Sequence, residues 1–173
     1  MSHRLVFFAV VVAGVVADLW TKAAVFSRLS LYEKHEVIPG FFYIAPIENP
    51  GAVWSLFQEV PANVWVVLRG GIAFFLLVYY LQQKQLPGLV RLGFAFILAG
   101  ALGNLHDNAF TDHGRVRDFI LWVFFGWNFP TFNIADSMIS VGAVILAIYY
   151  LFFEPKLAAT RAAGAGGPGG KKS

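Results

Sequence analysis

A chain of 173 residues that is 58% hydrophobic and only 13% charged, with a mean hydropathy of +0.64, is too apolar for a soluble domain and reads as one integral membrane domain. Cysteine is absent, which excludes disulfides, a thiolate metal site, a thiol nucleophile and acylation of the chain on a cysteine of its own. The formal charge is +3 and the basic residues are scattered, so nucleic acid is not an expected partner and the charge bears on membrane orientation instead.

In chain order, the first apolar stretch follows Arg4 and resembles the core of a signal peptide. Asp18, Trp20 and Lys22 come directly after it without a small-residue cleavage site, so a retained membrane helix is expected over residues 5–26. The next segment, up to Glu59, contains Val37-Ile38-Pro39-Gly40-Phe41-Phe42-Tyr43-Ile44, which predicts short strands broken by a turn. Further spans are expected over residues 61–81, 89–108 and 132–153, each near the roughly 20 residues that a crossing needs. The connection between the third and fourth spans is expected to be an interfacial loop or helix. It carries Phe110, Phe119, Trp122, Phe124, Phe125, Trp127 and Phe129, residue types that gather at bilayer interfaces. The fold class is therefore all-α membrane protein, with four transmembrane helices and a small β-rich cradle outside the bilayer. Residues 1–155 form the membrane domain, and the Gly/Ala-rich stretch 156–173 is expected to be a disordered tail.

Four crossings put both termini on one side. That side holds Arg4, Lys84, Arg91, Lys156, Arg161, Lys171 and Lys172 against the single acid Glu154, so the positive-inside rule makes the termini cytoplasmic. Polar residues inside the spans recur at helical spacing. Gly14, Asp18 and Lys22 share a face of the first helix, with Asp18 placed for an i, i+4 ion pair. Gly100, Gly103, Asn104 and Asp107 share a face of the third, and Asn133, Asp136, Ser137 and Ser140 a face of the fourth. Such stripes must turn inward and meet one another in lipid. For Asn104, Ser137 and Ser140, helix-to-helix hydrogen bonding is a sufficient role, and Asp18 with Lys22 reads equally as a structural pair.

Asp118 and Asp136 stand apart. Each is a carboxylate in an apolar context, Val116-Arg117-Asp118-Phe119-Ile120 and Phe132-Asn133-Ile134-Ala135-Asp136-Ser137. An ionised acid at membrane depth costs roughly 2.5–3.5 kcal/mol on insertion scales, so two of them point to chemistry. Two carboxylates sharing one proton are the working parts of an aspartic protease. Residue types alone leave two other readings open. Intramembrane acids also line ion or proton paths, although these acids all fall at one end of their spans. His106, Asp107, Asp112 and His113 could serve a metal hydrolase, although no His-Glu-x-x-His helix is present.

Five blocks in order carry a family resemblance: Asp18-Leu-Trp-Thr21-Lys22, Asn49-Pro-Gly51-Ala52-Val-Trp-Ser55, Gly100-Ala-Leu-Gly103-Asn104-Leu-His-Asp107, Val116-Arg-Asp118-Phe119 and Phe132-Asn133-Ile-Ala135-Asp136-Ser137. With them the chain resembles the lipoprotein signal peptidases (signal peptidase II), membrane aspartic proteases of the bacterial inner membrane. The resemblance implies an Asp118/Asp136 catalytic dyad, with Asp18, Lys22, Asn49, Gly51, Asn104, Asp107 and Asn133 around it. It implies cleavage of prolipoprotein signal peptides just before a diacylglyceryl-modified cysteine, near the outer membrane surface. The expected partners are diacylglyceryl-modified prolipoproteins and the lipid bilayer, with no metal or cofactor, and the expected state is a monomer. The chain departs from the family pattern at Asn108, where arginine is usual, at His106, and at Arg117, where an apolar residue is common. Asp107 then needs a new partner, and Arg115 and Arg117 are near in sequence. A weakly active or non-catalytic lipoprotein-binding homologue is the alternative, with an ion-conducting protein behind it.

Overall fold

In the computed structural model, which describes residues 2–50, 60–83 and 85–155, four long helices carry a small antiparallel sheet at one end. The helices are α1 (His3–Phe26), α2 (Ala62–Gln82), α3 (Gly88–Phe110) and α4 (Ile134–Ile148), the last continuing as a wider π-helical turn over Tyr149–Phe153. All four are long and apolar enough to cross a membrane, α4 together with its π turn. The expected tail, 156–173, and Gly51 lie outside the described residues.

The helices start where their sequences provide caps. Ser2 accepts the Leu5 N–H at 3.3 Å and opens α1. α4 opens with a reciprocal capping box. The Asn133 side chain accepts the Asp136 N–H at 2.9 Å, and the Asp136 carboxylate accepts the Asn133 N–H at 3.2 Å. That cap fixes Asp136 in the first turn of α4.

α3 is the central helix. Its buried face is built from Gly93, Ala95, Ala99, Gly100, Ala101 and Gly103, so neighbouring backbones come very close. A β-carbon at Gly100 would collide with the carbonyl oxygen of Ala135 on α4, and one at Gly103 would meet Asp18 Oδ2 at 2.5 Å. Toward the far end, Phe7 of α1 stacks on Tyr80 of α2, ring centroids 3.5 Å apart. Outward-facing residues such as Val67 and Phe74 are 75% and 70% exposed, as expected of a face turned to hydrocarbon.

The sheet has the order β1 (His35–Ile38), β2 (Phe42–Asn49), β3 (Val116–Phe124), β4 (Trp127–Asn128). The β1–β2 turn uses Gly40 at φ 68°, and its N–H is held by Glu36 Oε1 at 2.8 Å. The connection between α3 and α4, expected as an interfacial loop or helix, is instead the nine-residue strand β3. Its sequence, Val-Arg-Asp-Phe-Ile-Leu-Trp-Val-Phe, is rich in β-branched and aromatic residues, and β2 offers it a partner far away in sequence. The aromatics do reach the surface, where Trp122 and Phe124 are exposed.

Two pairings bring the acids together. Ile47 and Asn49 of β2 lie opposite Asp118 and Val116 of β3, after an irregularity between Ile44 and Ile47. Phe132 then bonds back to β3: it accepts the N–H groups of Phe119 and Ile120 and donates to the Ile120 carbonyl, at 2.8–3.1 Å. The chain entering α4 is thereby tied to the strand that carries Asp118.

The close approach at Gly100 makes a direct prediction. Gly100→Ala will force α3 from α4 and lower stability by about 1–3 kcal/mol, read as a lower thermal unfolding midpoint of the detergent-purified protein. Gly71→Ala, where a β-carbon meets nothing within 4 Å, will leave the midpoint near that of the wild type.

Candidate active site

Eight of the nine residues singled out in the sequence fall within the described structure, and all eight converge at the end of the bundle that carries the sheet. α1 brings Asp18 and Lys22, α3 brings Asn104 and Asp107, β2 brings Asn49, β3 brings Asp118, and Asn133 and Asp136 open α4. Asp18, Lys22, Asp107 and Asn133 are completely buried, and Asp118 is 1% exposed.

The innermost layer is ionic. Lys22 Nζ lies 2.8 Å from Asp18 Oδ2 and 3.0 Å from Asp107 Oδ2. It also donates to Asn104 Oδ1 at 3.1 Å. One ammonium thus uses its three donors on groups from two helices. Asp18 extends the layer to a third helix, because its Oδ1 accepts the Ala135 N–H at 2.9 Å in the first turn of α4.

Asp107 receives more. Arg117 donates from Nε at 3.1 Å and from NH2 at 2.6 Å to Asp107 Oδ1, and its backbone N–H reaches Oδ2 at 3.0 Å. Of the two arginines near in sequence, Arg117 on β3 is thus the partner of Asp107. Arg115, the other arginine near in sequence, has its backbone N–H and carbonyl bonded to Thr111.

Above this layer stand the two remaining acids. Asp118 accepts from Asn49 Nδ2 at 2.9 Å and from Asn133 Nδ2 at 2.7 Å. Asp136 accepts from Asn104 Nδ2 at 2.7 Å and from the Asn133 backbone N–H. Asn133 touches both acids and also donates to Asn104 Oδ1 at 3.0 Å. The three asparagines have carboxamides that donate and accept at once, so they can link the carboxylates without adding charge. Burial, and then the charge of Asp136, raise the Asp118 carboxyl from its ordinary 3.8 to about 7, against the stabilising bonds from Asn49 and Asn133 and the charge of Lys22.

One member of the site escaped sequence reading. Arg69 on α2 donates to Asn108 Oδ1 and lies over the Trp65 ring at 5.3 Å, within electrostatic reach of Asp136, Asp118 and Asp107. The available signal was a lone arginine in the middle of an apolar span, which by default marks a functional interior. His106 Nδ1 lies 3.7 Å from Asp107 Oδ1, but His106, Asp107, Asp112 and His113 do not gather as a set. His113 turns to Glu48 at 3.4 Å, and among the described residues no three His, Asp or Glu side chains could hold one ion.

A model of the family described as signal peptidase (SPase) II matches residues 10–152. The chain belongs to the signal peptidase II family. It is 33% identical over 152 residues to a lipoprotein signal peptidase of Listeria monocytogenes, covering 87% of this chain and 96% of that protein. It is 35% identical over 151 residues to a lipoprotein signal peptidase of Neisseria meningitidis, covering 86% and 90%. Two solved structures of bacterial membrane enzymes superpose with TM-scores of 0.74 and 0.76, at 27% and 30% identity, covering 96% and 86% of this chain and 94% of each of theirs. As a signal peptidase II the chain is a peptidase, a multi-pass protein of the bacterial inner membrane.

The ionic layer yields a stability prediction. Lys22→Met leaves Asp18 without a counter-charge in a dry interior and is expected to cost about 3–5 kcal/mol. Chemical unfolding in detergent reads this loss, and a variant as stable as the wild type would refute the ionic tie.

Proposed function

We propose that this signal peptidase II removes signal peptides from prolipoproteins, cutting just before a diacylglyceryl-modified cysteine, with Asp118 and Asp136 activating a water molecule. The observation that carries the reading is the pair itself. Two acids from β3 and α4 are bridged by Asn133, and burial beside Asp136 raises the Asp118 carboxyl to about 7. A pair in which one member holds a proton at neutral pH can act as acid and base together.

The ionised partner takes a proton from water, and the resulting nucleophile attacks the scissile carbonyl. The protonated partner donates to the developing oxyanion, and the protons are then redistributed so that the amine leaves neutral. No covalent intermediate forms, and no metal or cofactor is required. Lys22, Asp18 and Asp107 act by holding α4 and β3, the elements that carry the dyad. Asn49 and Asn133 keep the Asp118 carboxyl oriented by donating to it. Both acids belong to one chain, consistent with action as a monomer.

Charge balance supports the shared proton. Asp18, Asp107, Asp118 and Asp136 face Lys22, Arg69 and Arg117, so four potential negative charges meet three positive ones. A single proton on the dyad makes the cluster neutral, the favoured state in a low dielectric. The positive-inside count supports cytoplasmic termini. The dyad, at the opposite end of α1 from His3, then faces the outer surface, where the substrate's acyl chains can stay in the bilayer while its peptide reaches the acids.

Purified lipidated precursor tests the assignment. Asp118→Asn and Asp136→Asn will each lower the cleavage rate by about 10²–10⁴-fold or more, while the protein still inserts and folds. Wild-type rate in either variant would remove that residue from the dyad.

A further inference from the structure

The end of the bundle away from the acids holds a second polar site. α1 begins there, α2 ends there and α3 begins there. Between them lies a cavity of about 400 Å³, lined among others by His3, Arg4, Tyr80, Gln83, Gln85 and Arg91. From His3 to Asp18 along α1 is about 22 Å at 1.5 Å per residue, so the cavity and the dyad lie toward opposite faces of the membrane.

Its chemistry is cationic. Arg4, Arg91 and His3 contribute to the wall, and none of the described residues lining it is a carboxylate. Neither arginine has an ion-pair partner among the described residues. Arg91 donates from NH2 to the Leu86 carbonyl at 2.7 Å, which steadies the guanidinium and leaves most of its donors free. α3 starts beside it after Pro87 with no side-chain cap, so its first N–H groups add the positive end of the helix dipole. Tyr80 contributes its hydroxyl from a nearly buried ring braced by Phe7. Leu5, Leu81 and Leu89, adjacent in sequence to these helix ends, are exposed and apolar.

We infer that this cavity binds the phosphate of an anionic glycerophospholipid, in the leaflet opposite the proposed peptidase site. Two arginines and a phenol provide the donors a phosphodiester accepts, and the nearby N-terminal end of α3 adds a favourable dipole. The exposed leucines give its acyl chains an apolar surface. A signal peptide is a poor occupant, since its leader is basic and would be repelled. The inference stands on this end of the molecule alone and does not depend on the dyad.

Native mass spectrometry of the full chain in a neutral detergent tests it, with phosphatidylglycerol and phosphatidylcholine as probes. Wild type and Asp136→Asn are expected to retain phosphatidylglycerol in preference to phosphatidylcholine. Arg4→Gln and Arg91→Gln will each weaken that retention by about fivefold or more, the effect of one basic side chain near an anionic surface. Arg4→Gln carries the decision if Arg91→Gln disturbs the turn at Leu86. Inorganic phosphate distinguishes the sources. Lipid retained in its presence assigns the site to a headgroup, and displacement by phosphate alone overturns that assignment in favour of a soluble anion. Equal retention of the two lipids, or equal phosphatidylglycerol retention by wild type and both arginine variants, overturns the inference.

Discussion

Lys22 sits between Asp18 and Asp107 with no contact to solvent, and the rest of the site depends on that arrangement. Each of these charges would cost several kcal/mol to bury alone. They are tolerated because every one is met at 2.8–3.0 Å by an opposite charge and completed by hydrogen bonds. The same contacts set the geometry. Asp18 reaches the first turn of α4, Asp107 reaches β3 through Arg117, and Lys22 reaches Asn104, which in turn holds Asp136. Neutralising the buried charges and positioning the proposed dyad are therefore one operation.

This economy depends on close helix approach. α3 lies against α1 and α4 through glycine and alanine, and at Gly103 even a methyl group would displace Asp18 from its place beside Lys22. Apolar packing alone could not select this register in lipid, where the surroundings are as apolar as the interface. Short polar contacts can, because each is lost when a helix slides by one turn. Around position 108 the network draws in further elements. With asparagine there, Arg117 from the strand takes Asp107, and Arg69 from α2 meets Asn108. Cationic charge thus reaches the acids from β3 and α2 as well as from Lys22 on α1.

Much of this was legible in the sequence, for physical reasons. Helical spacing of Asp18 with Lys22, of Gly100, Gly103, Asn104 and Asp107, and of Asn133 with Asp136 survives in the structure, because lipid forces polar stripes inward. The sheet was only half legible. The β1–β2 hairpin is local and announced itself at Gly40, whereas β3 exists because β2 pairs with it from about 70 positions away. Aromatic residues on β3 satisfied an interfacial reading equally well until that partner was known. Arg69 was overlooked because its apolar neighbours mark a span, while its purpose lies in what it faces. The asparagine links among Asn49, Asn104, Asn133 and the two acids have no sequence signature, since they arise from register and capping together.

The central claim is that the cluster is neutral because Asp118 and Asp136 hold one proton between them. Asp118 is raised to about 7, so the protonated form is favoured in the folded state between its ordinary 3.8 and that value. Its contribution to stability is fully present below 3.8 and lost as the pH rises through about 7, and activity that needs the proton declines over the alkaline side of the same window. Infrared difference spectroscopy of the purified protein across pH 7 measures the proton itself. The account predicts a protonated-carboxyl band that disappears on raising the pH and is missing in Asp118→Asn. A wild-type spectrum without that band on the acid side, or a band unchanged by Asp118→Asn, would contradict it.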